Sequence, residues 1–144
     1  MSIIPNYVPS GFKVINVRLT VRDARKAIEW YNRAFGAEEV MRLTTPEGVI
    51  SHAQLKIADT SFMLTEGDVQ GPTGVTMQIF VPDVDAIMEE AEIAGAKILS
   101  PAQLQFYGDK CGEIRDPFGH EWLVSTHKES VTASEMQKRF QELF

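Results

Sequence analysis

The chain has 144 residues, 44% hydrophobic, 24% charged and 9% aromatic, which is the profile of one folded domain and excludes wholesale disorder. Twenty acidic against fourteen basic residues give a formal charge of −6, which argues against a nucleic-acid partner, since that needs a basic face. The single cysteine, Cys111, excludes an intrachain disulfide, and no apolar run approaches the ~18 residues needed to cross a bilayer, so a cytoplasmic protein with no membrane partner is expected.

In chain order, Ile15, Val17, Leu19 and Val21 alternate with Asn16, Arg18 and Thr20, which predicts a half-buried strand. Asp23 stands where a helix N-cap belongs, and Ala24, Ala27, Ile28, Tyr31 and Phe35 follow at helical spacing until Gly36. Extended segments are expected at about 38–44, 49–57 and 61–66, then a glycine-rich linker at 67–73. The same order then recurs. A strand at 75–81 leads to the cap Asp83, the stripe Val84, Ile87, Met88 and Ala91, and the stop Gly95. Further strands are expected at 97–100, 110–115 and 121–126, with a turn at Asp116–Gly119. The two aspartates stand sixty residues apart and the Gly-Ala pairs Gly36-Ala37 and Gly95-Ala96 fifty-nine, so the unit is duplicated. The fold class is α+β: tandem βαβββ units, about 12–66 and 74–127, forming curved mixed sheets around a cleft in a single domain. In the tail, Thr132 and Glu135 make a capping box, with Val131 packing on Met136, and predict a C-terminal helix over about 132–143.

Alternation also assigns faces. The apolar set from Ile15 to Val21 faces the helix of its unit, and Arg18, Gln78, His52, Gln54 and Glu113 stand on the opposite faces. Clefts with convergent polar groups are where ligands bind. A small-molecule site is therefore expected between the units, framed by Arg18, His52, Gln54, Gln78 and Glu113. Phe106 and Tyr107 are expected over one end, with Phe62, Leu64 and Leu123 as the apolar floor. His52 is the candidate catalytic group, because a neutral imidazole serves as general base or hydrogen-bond partner. The competing reading is a histidine held by its strand neighbours. His120, in a turn, and His127, at a strand end, read as structural, and Cys111 has no histidine near it in sequence.

Several segments together resemble a known family. They are Leu19-Thr-Val21-Arg-Asp23, Ala27-Ile28-Glu-Trp30-Tyr31, Ser51-His52-Ala-Gln-Leu55, Gln105-Phe-Tyr-Gly-Asp109 and Asp116-Pro-Phe-Gly-His120-Glu-Trp122. The chain resembles the vicinal-oxygen-chelate superfamily (glyoxalase, bleomycin resistance, dioxygenase), and within it the PhnB-like branch. The resemblance implies a homodimer and a single divalent metal held by His, Gln or Glu at two positions in each unit. In this chain those positions carry Asn16, Leu64, Thr76 and Leu123, which lack imidazole and carboxylate. No metal ligand and no cofactor is expected, and the resemblance then implies a small-molecule binder. The alternative is a lyase, isomerase or dioxygenase-like enzyme using His52 as base, or a divalent metal at a non-standard site near His52, Glu66 and Glu113.

Overall fold

The computed structural model describes Tyr7, residues 9–68 and residues 75–144; most of the expected linker lies outside these. The chain divides into two compact units, Met1–Gly71 and Pro72–Phe144. Each contains one βαβββ motif.

The first unit consists of β1 (Val17–Val21), α1 (Ala24–Phe35), β2 (Glu38–Thr44), β3 (Ile50–Ile57) and β4 (Thr60–Glu66). Its sheet runs β1-β4-β3-β2, with β1 and β4 parallel and the other pairs antiparallel. Asp23 caps α1 through Lys26 N–H, and its φ of 73° is the left-handed conformation that Asp tolerates better than most residues. Glu66, at the end of β4, accepts from the N–H groups of Asp23 and Ala24, both at 2.8 Å. A carboxylate there satisfies donors that have no acceptor within the helix and complements its dipole. The buried face of α1 carries Ala24, Ala27, Trp30, Tyr31, Ala34 and Phe35. Ile15 was expected in β1, but it precedes the strand and is exposed. The Asn16 carboxamide instead closes a turn on the backbone N–H and C=O of Lys13, which ends the extended run.

The second unit consists of β5 (Thr76–Phe80), α2 (Val84–Ile93), β6 (Lys97–Leu104), β7 (Asp109–Arg115), β8 (Glu121–His127) and α3 (Ala133–Gln141). Its sheet runs β5-β8-β7-β6, the same order as the first. β6 was expected to end at Ser100 but continues past Pro101, because it is an edge strand with irregular register where no ladder partner needs the proline N–H. Gly112 lets α2 approach the sheet: a Cβ there would collide with the Met88 thioether. The Asp116–Gly119 turn is organised by one buried carboxylate. Asp116 Oδ1 accepts from the N–H groups of Phe118 and His120, and Oδ2 from the indole of Trp122. Thr132 caps α3 as its sequence predicts, but Glu135 turns away from the cap and accepts from Arg139.

Candidate functional site on the open sheet faces

Each helix covers one face of its sheet and leaves the other uncovered by its own unit's helix; strand register decides which side chains lie there. In the first sheet, cross-strand partners form two rows on the uncovered face. One is Arg18, Met63, Gln54 and Met41; the next is Thr20, Thr65, His52 and Leu43. In the second sheet the rows are Gln78, Leu123, Glu113 and Ser100, then Phe80, Ser125, Cys111 and Gln103. Arg18, His52, Gln54, Gln78, Glu113 and Leu123 therefore all stand on uncovered faces.

Phe62 and Leu64 do not. They pair with Val17 and Leu19 and with Leu55 and Ala53, and both are buried under α1, where Tyr31 meets Phe62 edge-on at 5.5 Å. They belong to the core, and the expectation of an apolar floor that includes them is corrected. Met63, one residue on, takes the place in the first sheet that Leu123 takes in the second.

The two faces differ in how their polar groups are used. In the second sheet a chain of contacts runs across the strands: Gln78 Nε2 donates to Ser125 Oγ at 3.1 Å, and Ser125 Oγ donates to Cys111 Sγ at 3.2 Å. The Tyr107 hydroxyl lies 3.5 Å from the same sulfur. Burial, then the Cys111 contact and the charges of Cys111, Asp109 and Glu113, push the Tyr107 phenol up to about 12. Phe106 was expected beside Tyr107 over the face. Its ring does meet Tyr107 at 5.1 Å, but it also packs on Phe140 of α3 at 5.5 Å. Ser125 and Cys111 were not expected in the site, although the alternation that exposes Leu123 and Glu113 also carries them.

In the first sheet the corresponding groups are unspent. The side chains of Arg18, His52 and Gln54 make no hydrogen bond to the described residues, and the Thr65 hydroxyl is buried with no partner. A buried hydroxyl without a partner costs about 1–3 kcal/mol, so such groups call for an explanation. A second orphan, the Trp30 indole N–H, lies on α1.

The same geometry tests the superfamily's metal. The Asn16 carboxamide is spent on Lys13, Leu64 is in the core, and Met63, Thr76 and Leu123 provide a thioether, a hydroxyl and an alkyl group. Glu66, the non-standard candidate, is committed to the start of α1. These residues do not fit a divalent cation, which takes imidazole, carboxylate or thiolate. Among the described residues no three His, Cys, Asp or Glu side chains form a group able to hold one.

The profile of the Glyoxalase/Bleomycin resistance protein/Dioxygenase superfamily matches residues 13–124. The chain belongs to this superfamily. The uncharacterised protein Mb0911c of Mycobacterium bovis is 35% identical over 135 residues, covering 85% of this chain and 89% of the relative. The crystal structure of TioX from Micromonospora sp. ML1 superposes with a TM-score of 0.65 at 27% identity, over 78% of this chain and 97% of TioX. The PhnB protein from Bacillus cereus gives a TM-score of 0.66 over 79% and 99% of the two chains; at 18% identity it shares the fold alone. Among the described residues no helix is long and apolar enough to cross a membrane.

Proposed function

We propose that this superfamily member binds a small molecule on the uncovered face of its first sheet, without the divalent metal common in the superfamily. The observation that carries this reading is the orphaned Thr65 hydroxyl, set between Thr20 and His52. In the second sheet the equivalent hydroxyl, Ser125, is held by two neighbours. A bound molecule with an acceptor or anionic group would take up what the protein leaves unspent: the Thr65 hydroxyl, the His52 ring, the Gln54 amide and the Arg18 guanidinium. Met41, Leu43 and Met63 stand in the same rows, so the rest of the ligand is apolar. On its motifs we place the chain in the PhnB-like branch, and a cytoplasmic setting suits a chain whose one cysteine is a free thiol.

The test is mass spectrometry of small molecules that co-purify with the protein, with elemental analysis of the same sample. A specific organic ligand is expected, with less than about 0.1 equivalent of transition metal, because such weak donors do not offset the dehydration of a divalent ion. His52→Ala should weaken that ligand by roughly 1–3 kcal/mol while leaving the melting temperature unchanged. Near-stoichiometric metal surviving dialysis, or binding indifferent to His52→Ala and Arg18→Ala alike, would overturn the reading.

A further inference from the structure

The second unit carries a further polar cluster, one row beyond Ser125 and Cys111 on the same sheet face. β8 ends at His127, which lies opposite Asp109 in the ladder. His127 Nδ1 is 2.7 Å from Asp109 Oδ1, and His127 Nε2 is 3.1 Å from Ser130 Oγ. An ionised carboxylate can only accept, so Nδ1 carries the ring proton. In the neutral imidazole Nε2 is then an acceptor, and the Ser130 hydroxyl donates to it. Asp109 is the buried member, its side chain 11% exposed, whereas His127 is 55% exposed and Ser130 is open to solvent. A buried carboxylate that orients an imidazole, which in turn holds a reachable hydroxyl, is the order of groups that activates a serine nucleophile.

The segment that carries Ser130 is held firmly. The carbonyl of Gly108 accepts from both Lys128 and Glu129 N–H, at 2.9 and 3.0 Å. Gly108 has φ of 97°, and a Cβ there would collide with the Glu129 carbonyl, so only glycine permits the approach. Arg139 of α3 holds the Glu129 carboxylate at 2.7 Å and the Phe106 carbonyl at 3.1 Å. Just beyond Ser130 in the chain, the first-turn N–H groups of Ala133 and Ser134 have no acceptor within α3. Such donors suit the oxyanion that forms when a carbonyl is attacked.

We propose that Ser130 and His127, positioned by Asp109, form a nucleophilic serine site that small activated carboxylic esters acylate. In the first step Ser130 Oγ attacks the acyl carbon as His127 Nε2 takes its proton. The bond to the leaving group breaks, and the leaving oxygen collects that proton, or departs as the phenolate while His127 gives the proton to solvent, so that Nε2 is free again. Water then attacks the acyl-serine, giving a proton to His127 Nε2, which passes it to Ser130 Oγ as the acyl–oxygen bond breaks; the carboxylic acid is released and the Ser130 hydroxyl is restored. His127 and Ser130 stand on open surface, so the acyl groups that fit are small and the selectivity is low.

The test uses the full chain and p-nitrophenyl acetate. The wild type should release p-nitrophenol and carry acetate on the Ser130 peptide, read by mass spectrometry of a quenched sample. Ser130→Ala and His127→Gln, both exposed positions that should melt as the wild type does, should each lower the rate roughly tenfold or more. Asp109→Asn should lower the acylation rate constant with KM unchanged. If Ser130→Ala keeps the wild-type rate while His127→Gln loses it, the imidazole reacts alone and the proposal fails. Absence of acetate on Ser130, or an equal adduct in His127→Gln, would also overturn it.

Discussion

Thr65 and Ser125 hold the same place in the two sheets, yet one hydroxyl is orphaned and the other has two neighbours. That contrast comes from what the duplicated positions around them became. Opposite Thr65 stands His52; opposite Ser125 stands Cys111, whose sulfur accepts the serine proton. Alternation in the sequence was enough to place His52, Gln54, Gln78 and Glu113 on uncovered faces. The fifty-nine-residue spacing of the Gly-Ala pairs, which would match Leu64 to Leu123, does not hold at the last strands. The turn between β7 and β8 is one residue longer than that between β3 and β4: Arg115 pairs with Glu121, whereas Lys56 pairs with Ser61. One extra residue reverses parity, so Leu123 corresponds to Met63 and Leu64 points into the core. This predicts unequal costs for the same truncation. Leu64→Ala should destabilise by roughly 2–5 kcal/mol in denaturant unfolding, the range for a fully buried leucine, and Leu123→Ala by clearly less. Equal losses would mean that the faces are assigned wrongly.

At the scale of elements, the two N-caps and the C-terminal cap are legible in sequence, because each rests on short-range chemistry, whereas the parallel pairings of β1 with β4 and of β5 with β8 join residues some 45 apart and are not. What holds α3 is not legible, since it depends on contacts between segments distant in the chain. A nine-residue helix with no buried residue does not persist in water alone. Arg139 gripping the Phe106 carbonyl and Phe140 stacking on the Phe106 ring supply what propensity cannot. The same contacts hold the neighbouring Tyr107 against Cys111. The fold favours the neutral phenol, so this contribution to stability is complete below pH 10 and is lost as pH rises through about 12. Arg139→Ala should fray α3, seen as faster amide exchange over 133–141. It should also let Tyr107 titrate closer to pH 10 by phenolate absorbance, referenced to Tyr107→Phe. Unchanged exchange and an unchanged titration would show that α3 does not support the loop.

For the whole molecule, duplication gives two sheets, and the end strands of each have one edge without a ladder partner in their own sheet. β2 bounds the first sheet with Val40, Met41 and Leu43 all exposed, and β6 bounds the second with Leu104 exposed. Exposed edges with apolar side chains invite pairing with other chains, and proteins that remain dispersed cover them. Nothing along β2 supplies the usual protection of a proline or an inward charge at those three positions, although Glu38, Glu39 and Arg42 interrupt the apolar run. The net charge of −6 keeps random association in check but leaves a specific two-fold contact open. A homodimer is therefore expected, its interface drawing on β2. Light scattering at micromolar concentration should give about twice the chain mass of 16.1 kDa. Replacing Val40 and Leu43 with lysine, both on the exposed edge and outside the core, should shift the protein to the monomer without lowering the unfolding midpoint of the isolated chain. A wild-type species of single-chain mass would remove the assembly from this account, and a dimer indifferent to the lysines would move its interface away from β2.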